Sequence, residues 1–260
     1  MKVLFIGDIV GAVGREIVRE YIDQLKKDYE IDLVVANGEN SAHGKGITRK
    51  IYKELIEMGV DVVTMGNHTY SKRNEILEFI DEAESLVVPA NMEPNEYGQS
   101  TCVINVKGKR VAITNLCGEV FMNNVIDSPF ACMEDVLEEY DDIDIHLVDL
   151  HAEVTSEKIA FAYYFAGKIG AVVGTHTHVQ TADERIINGT AAISDLGMCG
   201  PYTSVIGADV DEIIKRFTTD EHTKYKIAEG PGILCGCVVT FDDLNNQASA
   251  IERIQIRPKD

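Results

Sequence analysis

Short apolar runs rich in β-branched residues alternate along the chain with longer stretches in which apolar residues recur every three or four positions. The runs at residues 3–6, 33–36 and 62–65 have the length and composition of buried strands. Between them, residues 14–29 and 49–58 have the spacing of amphipathic helices. This alternation is typical of βαβ units, so it predicts an α/β fold with parallel strands.

The rest of the chain continues the pattern and ends on a different one. Two further helices and five further apolar runs are predicted at residues 72–82, 157–168, 86–88, 111–115, 146–149, 171–173 and 191–194. Near the C-terminus, residues 233–241 and 250–256 are predicted as consecutive strands joined by an Asp- and Asn-rich turn. Strands joined this closely run antiparallel, so we expect a mixed sheet.

The 260 residues, 45% of them hydrophobic, are enough to bury a large core, and no linker, repeat or low-complexity segment interrupts them. We therefore expect a single domain over residues 1–260. No stretch reaches the ~18 consecutive apolar residues of a membrane-spanning helix, and the first apolar run is too short for a secretion signal. The six cysteines are scattered, which favours a reducing compartment. A soluble cytoplasmic protein without a membrane partner is predicted.

Acidic residues outnumber basic ones, and the formal net charge is -19 at pH 7. Binding to long nucleic acids depends on Lys and Arg that neutralise phosphates, so this charge argues against such a partner. A small anion held through metal cations is compatible with it.

Polar side chains of the kinds that bind metals follow directly on five of the predicted strands. They are Asp8, Glu39 and Asn40, Asn67 and His68, His151, and His176 and His178. Ligands of α/β sheets bind beyond the carboxyl ends of the strands, so we expect these side chains to converge.

Any one of these residues alone is more readily explained as a turn residue, a helix cap or a buried histidine. Together, their carboxylates, carboxamides and imidazoles supply the nitrogen and oxygen donors that suit borderline divalent metals. In an extended segment, residues two apart point to the same side, as His176 and His178 would. The set therefore indicates a metal centre in which two cations share neighbouring ligands.

Five segments carry a resemblance to a known family. They read LFIGD at residues 4–8, NGENSAHGKG at 37–46, MGNHT at 65–69, DLHAE at 149–153 and VGTHTHVQT at 173–181. In this order they resemble the metallophosphoesterase superfamily, and more closely its YmdB-like branch of 2′,3′-cyclic-nucleotide phosphodiesterases. The resemblance runs nearly end to end and implies a four-layer αββα sandwich with mixed sheets.

The resemblance also implies a role for each donor. One cation would be bound by Asp8, Asn40 and His178, the second by Asn67, His151 and His176, with Glu39 as the bridge between them. Iron or manganese is the metal that the resemblance favours, and zinc or cobalt suits the same donors.

By the same resemblance, His68 is the expected general acid. Two positions depart from the superfamily pattern: Val10 stands where many relatives have a ligand histidine, and Thr69 where many have an acidic residue that orients the acid. Glu39 followed by Asn40 restores the number of ligands.

Substrate contacts are predicted beside these ligands. Gly44 and Lys45 lie in the loop that follows Asn40, where a backbone amide and an ammonium could meet a phosphate. Tyr70 and Tyr202 are the aromatic residues nearest the motifs in sequence and are candidates for stacking on a nucleobase.

The predicted activity is the hydrolysis of small phosphodiesters by a metal-bridging hydroxide with His68 as general acid. The resemblance implies 2′,3′-cyclic nucleotides as the substrates. A phosphomonoesterase or nucleotidase with the same metal core is the first alternative, and a slow-turnover regulatory nucleotide sensor is the second. A symmetric homo-oligomer is compatible with the sequence.

Overall fold

The computed structural model describes residues 1–94, 96–220 and 225–258, and these form two β-sheets with helices on their outer faces. The strands are β1 (Lys2–Ile6), β2 (Asp8–Ile9), β3 (Leu33–Asn37), β4 (Val62–Thr64), β5 (Leu86–Val87), β6 (Thr101–Val106), β7 (Lys109–Cys117), β8 (Ile145–His151), β9 (Ala171–Thr175), β10 (Arg185–Ile187), β11 (Thr190–Ile193), β12 (Met198–Pro201), β13 (Gly232–Phe241) and β14 (Ala248–Ile256). The α-helices are α1 (Gly11–Tyr29), α2 (Arg49–Glu57), α3 (Arg73–Leu77), α4 (Pro129–Glu139), α5 (Thr155–Tyr164) and α6 (Val210–Thr218).

The first sheet has the strand order β2-β12-β13-β1-β3-β4-β5, and β14 pairs with β13. Strands β1, β3, β4 and β5 are parallel, as the alternation of strands and helices predicts. Strand β13 runs antiparallel to both β1 and β14, with Phe5 opposite Cys237. The prediction of a mixed sheet is confirmed.

The second sheet has the order β10-β11-β9-β8-β7-β6. Its four inner strands, β11, β9, β8 and β7, are parallel. Strands β10 and β6 close the two edges as antiparallel partners of β11 and β7. The carboxyl ends of the inner strands therefore lie at one edge of the sheet.

The central core lies between the sheets, where Phe5 of the first sheet and Ile113 of the second belong to one buried cluster. A second cluster joins the outer face of the first sheet to α1 and α2 through residues such as Ile22. A third joins the second sheet to α4 and α5 through Phe161. Full burial of each such side chain stabilises the fold by about 1.5–3 kcal/mol. The layers are helix, sheet, sheet and helix, which confirms the αββα prediction.

Side-chain caps fix where two helices near the strand ends begin. The hydroxyl of Thr48 accepts a hydrogen bond from the Ile51 amide at 3.3 Å, so α2 begins directly after the loop at residues 41–46. The carboxylate of Asp209 accepts one from the Glu212 amide at 3.2 Å at the start of α6. Each cap provides a hydrogen-bond acceptor for a backbone amide that the first turn of the helix leaves without a partner.

Two predicted helices differ from the structure. The helix predicted over residues 72–82 is wrong, because non-helical backbone angles at Lys72 and Phe79 divide this stretch into α3 and two flanking 3₁₀ turns. The helix predicted to end at residue 168 ends at Tyr164. The next residue, Phe165, leaves the helix and places its ring 4.6 Å from that of Phe161 in the core.

Two further predictions concern membrane-spanning helices and the state of the cysteines. No helix in the described residues is long and apolar enough to cross a lipid bilayer. All six cysteines are free thiols, and five of them are buried. The thiols therefore pack as small apolar side chains.

Candidate metal centre

The structure brings the seven predicted metal ligands to one place, beyond the carboxyl ends of strands from both sheets. The first sheet and the loops after it supply Asp8, Glu39, Asn40 and Asn67, and the second supplies His151, His176 and His178. Asp8, Glu39, Asn40 and His151 are buried. The convergence matches the strand-end argument from the sequence.

One group of donors surrounds the carboxamide of Asn40. Its Nδ2 lies 3.4 Å from Asp8 Oδ1 and 3.2 Å from His178 Nε2. The same nitrogen lies 3.1 Å from Glu39 Oε1. A carboxamide has an oxygen at its other end, so rotating this group presents an oxygen donor to a cation.

A second group surrounds the imidazole of His151. Its Nε2 lies 2.9 Å from Asn67 Oδ1, 3.0 Å from His176 Nδ1 and 3.2 Å from Glu39 Oε1. Donor atoms of Glu39, His151 and His176 all lie within 4.8 Å of one another. The oxygen Glu39 Oε1 contacts both groups, which is the position that a bridging ligand requires.

The two predicted ligand histidines that follow β9 have unusual backbone conformations. His176 has φ 103° and His178 has φ 66°, and both angles lie in the region that side-chain-bearing residues rarely adopt. Such residues cost on the order of 1–3 kcal/mol and persist where the surroundings fix them. Here the His176 amide donates to Asp8 Oδ2 at 3.1 Å, and His178 Nδ1 lies 2.9 Å from the Ile206 carbonyl.

A buried carboxylate behind the site orients His151. Asp149 accepts hydrogen bonds from Thr64 Oγ1 at 2.5 Å and from Thr175 Oγ1 at 2.7 Å. Since the Thr175 hydroxyl donates its proton to Asp149, it can only accept from His151 Nδ1, 2.8 Å away. The ring therefore keeps its Nδ1 proton and directs Nε2 to the donor group, as ligand histidines commonly do.

A buried ion pair supports the histidine segment from the other side. Lys158 of α5 donates to Asp195 Oδ2 and to the Thr175 carbonyl, each at 2.8 Å. The same Asp195 oxygen accepts from the Thr177 amide at 3.1 Å. Neither residue was predicted from the sequence, because they lie 37 positions apart and no motif joins them.

The electrostatics of the donors follow from burial and from their mutual contacts. Burial raises the pKa of Asp8 above its usual value. Burial also opposes ionisation of Glu39, but the facing His151 outweighs it and lowers the Glu39 pKa. Burial would lower the pKa of His151, and the same Glu39 charge raises it instead. Buried carboxylates that are stabilised by the positive charge of neighbouring imidazoles can also be stabilised by a cation. The donors therefore fit a metal ion chemically.

His68 lies beside the donors rather than among them. Its amide donates to Glu39 Oε2 at 2.8 Å, and its Nδ1 lies 3.2 Å from Ser71 Oγ. Burial lowers the pKa of its imidazole. Thr69 turns away and bonds to the Gly66 carbonyl. Ser71, which sequence reasoning missed, therefore has the orienting contact that was expected next to His68.

A cleft of about 300 Å³ opens over these groups. The predicted substrate residues Gly44 and Lys45 line it together with His68. Tyr70 is not among the lining residues, because its ring packs against the core of the first sheet and its hydroxyl is buried. Tyr202 lines a neighbouring cleft instead.

Sequence reasoning missed two residues that line the main cleft. Ile206 and Tyr225 form part of its wall, and both come from the segment between β12 and β13. The carboxylate of Glu153 lies 3.0 Å from His176 Nε2 at the rim. Neither wall residue belongs to a motif, so their role depends on tertiary structure alone.

Comparison with known proteins shows the family of the chain. A family model for YmdB-like proteins matches residues 4–254. The chain belongs to the YmdB-like protein family. It is 46% identical over 258 residues to a Bacillus subtilis (strain 168) protein named 2′,3′-cyclic-nucleotide 2′-phosphodiesterase, with 98% of this chain and 97% of that one covered. The family resemblance of the five sequence segments is confirmed.

Solved structures place this YmdB-like chain among related folds. A crystal structure of a novel phosphatase from Mycoplasma pneumoniae is 37% identical, with a TM-score of 0.93 and with 98% of this chain and 93% of that one covered. A 5′-nucleotidase precursor from Thermus thermophilus is 15% identical, with a TM-score of 0.58 over 98% of this chain and 54% of that one. The second similarity shows a shared fold alone.

Proposed function

We propose that this YmdB-like protein is a metal-dependent phosphodiesterase that hydrolyses small phosphodiesters, above all 2′,3′-cyclic nucleotides. The observation that carries the proposal is the position of Glu39 Oε1, which contacts both donor groups. The name of the Bacillus subtilis relative, which is 46% identical over nearly the whole chain, supports the substrate class.

Two cations would occupy the two donor groups. One would be held by Asp8, Asn40 and His178, the other by Asn67, His151 and His176, with Glu39 shared. When bound, such a pair polarises phosphoryl oxygens and makes water nucleophilic near neutral pH. The donors are nitrogen and oxygen atoms without a thiolate, which suits iron or manganese and also zinc or cobalt.

The chain itself supplies the remaining roles. His68 lines the cleft and is oriented by its contact with Ser71, so it can hold a proton for the alkoxide that leaves when the diester is cleaved. The amide of Gly44 and the ammonium of Lys45 border the same cleft. In a protein of net charge -19, a lysine at this position gives local attraction for a phosphate.

The cellular setting is part of the proposal. Six free cysteines support a reducing compartment, and we place the enzyme in the cytoplasm. The substrate is a small nucleotide or another small phosphodiester, because the strongly acidic chain lacks the charge for binding long nucleic acids.

The test begins with protein purified without chelator, with its bound metals quantified. Hydrolysis of 2′,3′-cyclic AMP is then compared with hydrolysis of a phosphomonoester and of bis(4-nitrophenyl) phosphate, with Asp8→Ala as the control. The proposal predicts about two metals per chain and cleavage of the cyclic diester by the parent only. Preference for the monoester would favour a nucleotidase, and bound metal without hydrolysis would favour the sensor.

A further inference from the structure

The cleft wall contains an aromatic ring that the metal chemistry does not use. Tyr225 lines the cleft beside Gly44 and Lys45, and 47% of its surface is exposed. Burial of the rest of the residue raises the pKa of its hydroxyl. A tyrosine that served only to fill the core would be more completely covered.

The ring of Tyr225 is packed against the loop that follows the ligands Glu39 and Asn40. Gly44 has φ +84°, and a Cβ on it would lie 2.9 Å from Tyr225 Cε1 and 3.2 Å from the hydroxyl oxygen. The Lys45 ammonium lies 5.9 Å from the centre of the ring. Only a glycine lets the ring approach this closely, so the ring has a defined place relative to the metal ligands.

Backbone pairing holds Tyr225 and Ile206 in one unit. Ala208 pairs with Ile227, the Asp209 amide donates to the Lys226 carbonyl at 2.9 Å, and the Ala228 amide donates to Gly207 at 3.0 Å. These backbone contacts join residues 207–209, which follow Ile206, to residues 226–228, which follow Tyr225. Residues 206–209 and 225–228 therefore present both side chains to the cleft in a defined arrangement.

Ile206 connects this wall directly to the metal centre. It has φ 47°, a conformation that is rare for a β-branched residue, and 51% of its surface is exposed. Its carbonyl lies 2.9 Å from His178 Nδ1. The strained backbone thus orients a metal ligand while the apolar side chain lines the cleft.

We propose that Tyr225 is the platform on which the nucleobase of the substrate stacks, with the apolar side chain of Ile206 as a second wall. The proposal rests on the proposed function for the phosphate end of the substrate and adds the class of group at the other end. Stacking uses the π-face that every base has, so we expect similar affinity for purine and pyrimidine nucleotides.

The first experiment measures kcat and KM for 2′,3′-cyclic AMP in the parent and in Tyr225→Ala. Base stacking is worth about 1–3 kcal/mol, so KM should rise roughly 5- to 150-fold in the variant. The kcat should change less than KM, because the ring packs against the loop residues Gly44 and Lys45 and its proposed role is to bind the base. Tyr225→Phe keeps the ring and should restore the KM of the parent.

The control substrate is glycerol 1,2-cyclic phosphate, which has the same kind of strained cyclic diester and no base. Tyr225→Ala should lower kcat/KM for this compound far less than for 2′,3′-cyclic AMP. An equal loss for both substrates would show that Tyr225 only supports the fold of the wall, and it would overturn the proposal. A KM for cyclic AMP that stays at the parent value in Tyr225→Ala would overturn it as well.

A binding measurement separates this proposal from the proposed function. Calorimetric titration of the metal-loaded protein compares adenosine 3′-monophosphate with glycerol 1-phosphate. Tighter binding of the nucleotide that is lost in Tyr225→Ala supports the platform even if no cyclic diester is hydrolysed. Equal affinity for the two ligands in the parent would overturn the platform even if hydrolysis is observed.

Discussion

At the scale of single residues, the site depends on side chains that are absent as well as on those present. Gly66 lies between β4 and the ligand Asn67, and a Cβ on it would lie 2.4 Å from His151 Cδ2 and 2.5 Å from Glu39 Oε2. Both of those residues are proposed ligands of the second cation. The position therefore requires glycine for reasons of space.

We expect Gly66→Ala to lower kcat/KM for 2′,3′-cyclic AMP by about 100-fold, because a displacement on the order of 1 Å near reacting groups has an effect of this size. Steady-state kinetics and metal analysis measure the effect. Gly108→Ala is the control for loss of a glycine away from the donors: its φ of +82° disfavours a Cβ, so the variant should lose some stability, but the open space around that Cβ position should leave kcat/KM unchanged. Full activity in Gly66→Ala would show that the packing around His151 is looser than described.

His68 provides a second prediction at this scale. His68→Ala should lower kcat by about 10²–10⁴-fold, the usual contribution of a placed general acid, with the metal content unchanged. The exposed His43, which does not line the cleft, is the control for loss of an imidazole. If His68→Ala loses its metals, the residue has a structural role in the donor groups and the acid lies elsewhere.

At the scale of secondary-structure elements, the ends of β8 and β9 form the support of the histidines. Thr175 at the end of β9 accepts from His151 at the end of β8 and donates to Asp149, also in β8. All three side chains are buried. Hydrogen bonds between adjacent strands thus fix which nitrogen of His151 faces a cation.

Thr175→Val keeps the shape of the side chain and removes its hydroxyl. We expect the affinity for metal to fall about 10–100-fold, the usual effect of losing a partner that orients a ligand histidine. This affinity is measured by removing bound metal with a chelator and then titrating the protein with Mn²⁺. Thr190→Val is the control, because Thr190 is also buried and hydrogen-bonded but bonds to Ile169 away from the donors. Equal metal affinities in both variants would contradict the orienting role.

The secondary-structure elements also show how much of the fold can be predicted from the sequence. Apolar runs predicted the central strands, because a buried strand needs several consecutive apolar residues. The pattern missed β2, β6, β10, β12, α4 and α6. Strands β2, β10 and β12 have two, three and four residues, and each contains a charged residue, or a glycine and a proline, so none forms an uninterrupted apolar run. The α6 helix has no buried residue, so its boundaries depend on local capping at Asp209.

The proposed site likewise contains residues that could be predicted from the sequence and residues that could not. The metal donors could be predicted, because each follows a strand end and the chemistry restricts the residue types. The wall residue Tyr225 and the buried Lys158 could not. Each becomes significant only through a contact with a residue distant in sequence, such as Gly44 or Asp195.

At the scale of the whole molecule, the proposed cations join the two sheets. Asp8 lies in β2 of the first sheet, and Glu39, Asn40 and Asn67 follow β3 and β4 of that sheet. His151 ends β8 of the second sheet, and His176 and His178 follow its strand β9. The sheets also meet through apolar side chains of the central core and through buried hydrogen bonds such as that from Thr64 to Asp149. Bound metal should therefore stabilise the packing of one sheet against the other.

Removal of metal should lower the thermal stability of the whole chain. With free metal at 100 times its Kd, binding stabilises the folded state by about 2.7 kcal/mol. This corresponds to roughly 5–10 °C in Tm for a chain of this size. Calorimetry with and without chelator measures the difference. In Asp8→Ala, the chelator should lower Tm by a smaller amount than in the parent. A parent protein whose Tm does not change with chelator would contradict the claim that metal joins the two sheets.

The central claim is that two cations bind the two donor groups and support hydrolysis. Its most direct test is to remove bound metal with a chelator and then titrate the protein with Mn²⁺. Bound metal, the electron paramagnetic resonance spectrum and hydrolysis of 2′,3′-cyclic AMP are followed during the titration. The account predicts two Mn²⁺ per chain, a spin-coupled spectrum and activity that appears with the second equivalent. Glu39→Gln should weaken the coupling and the activity together. Full hydrolysis by protein that holds no metal or a single Mn²⁺ would contradict the account.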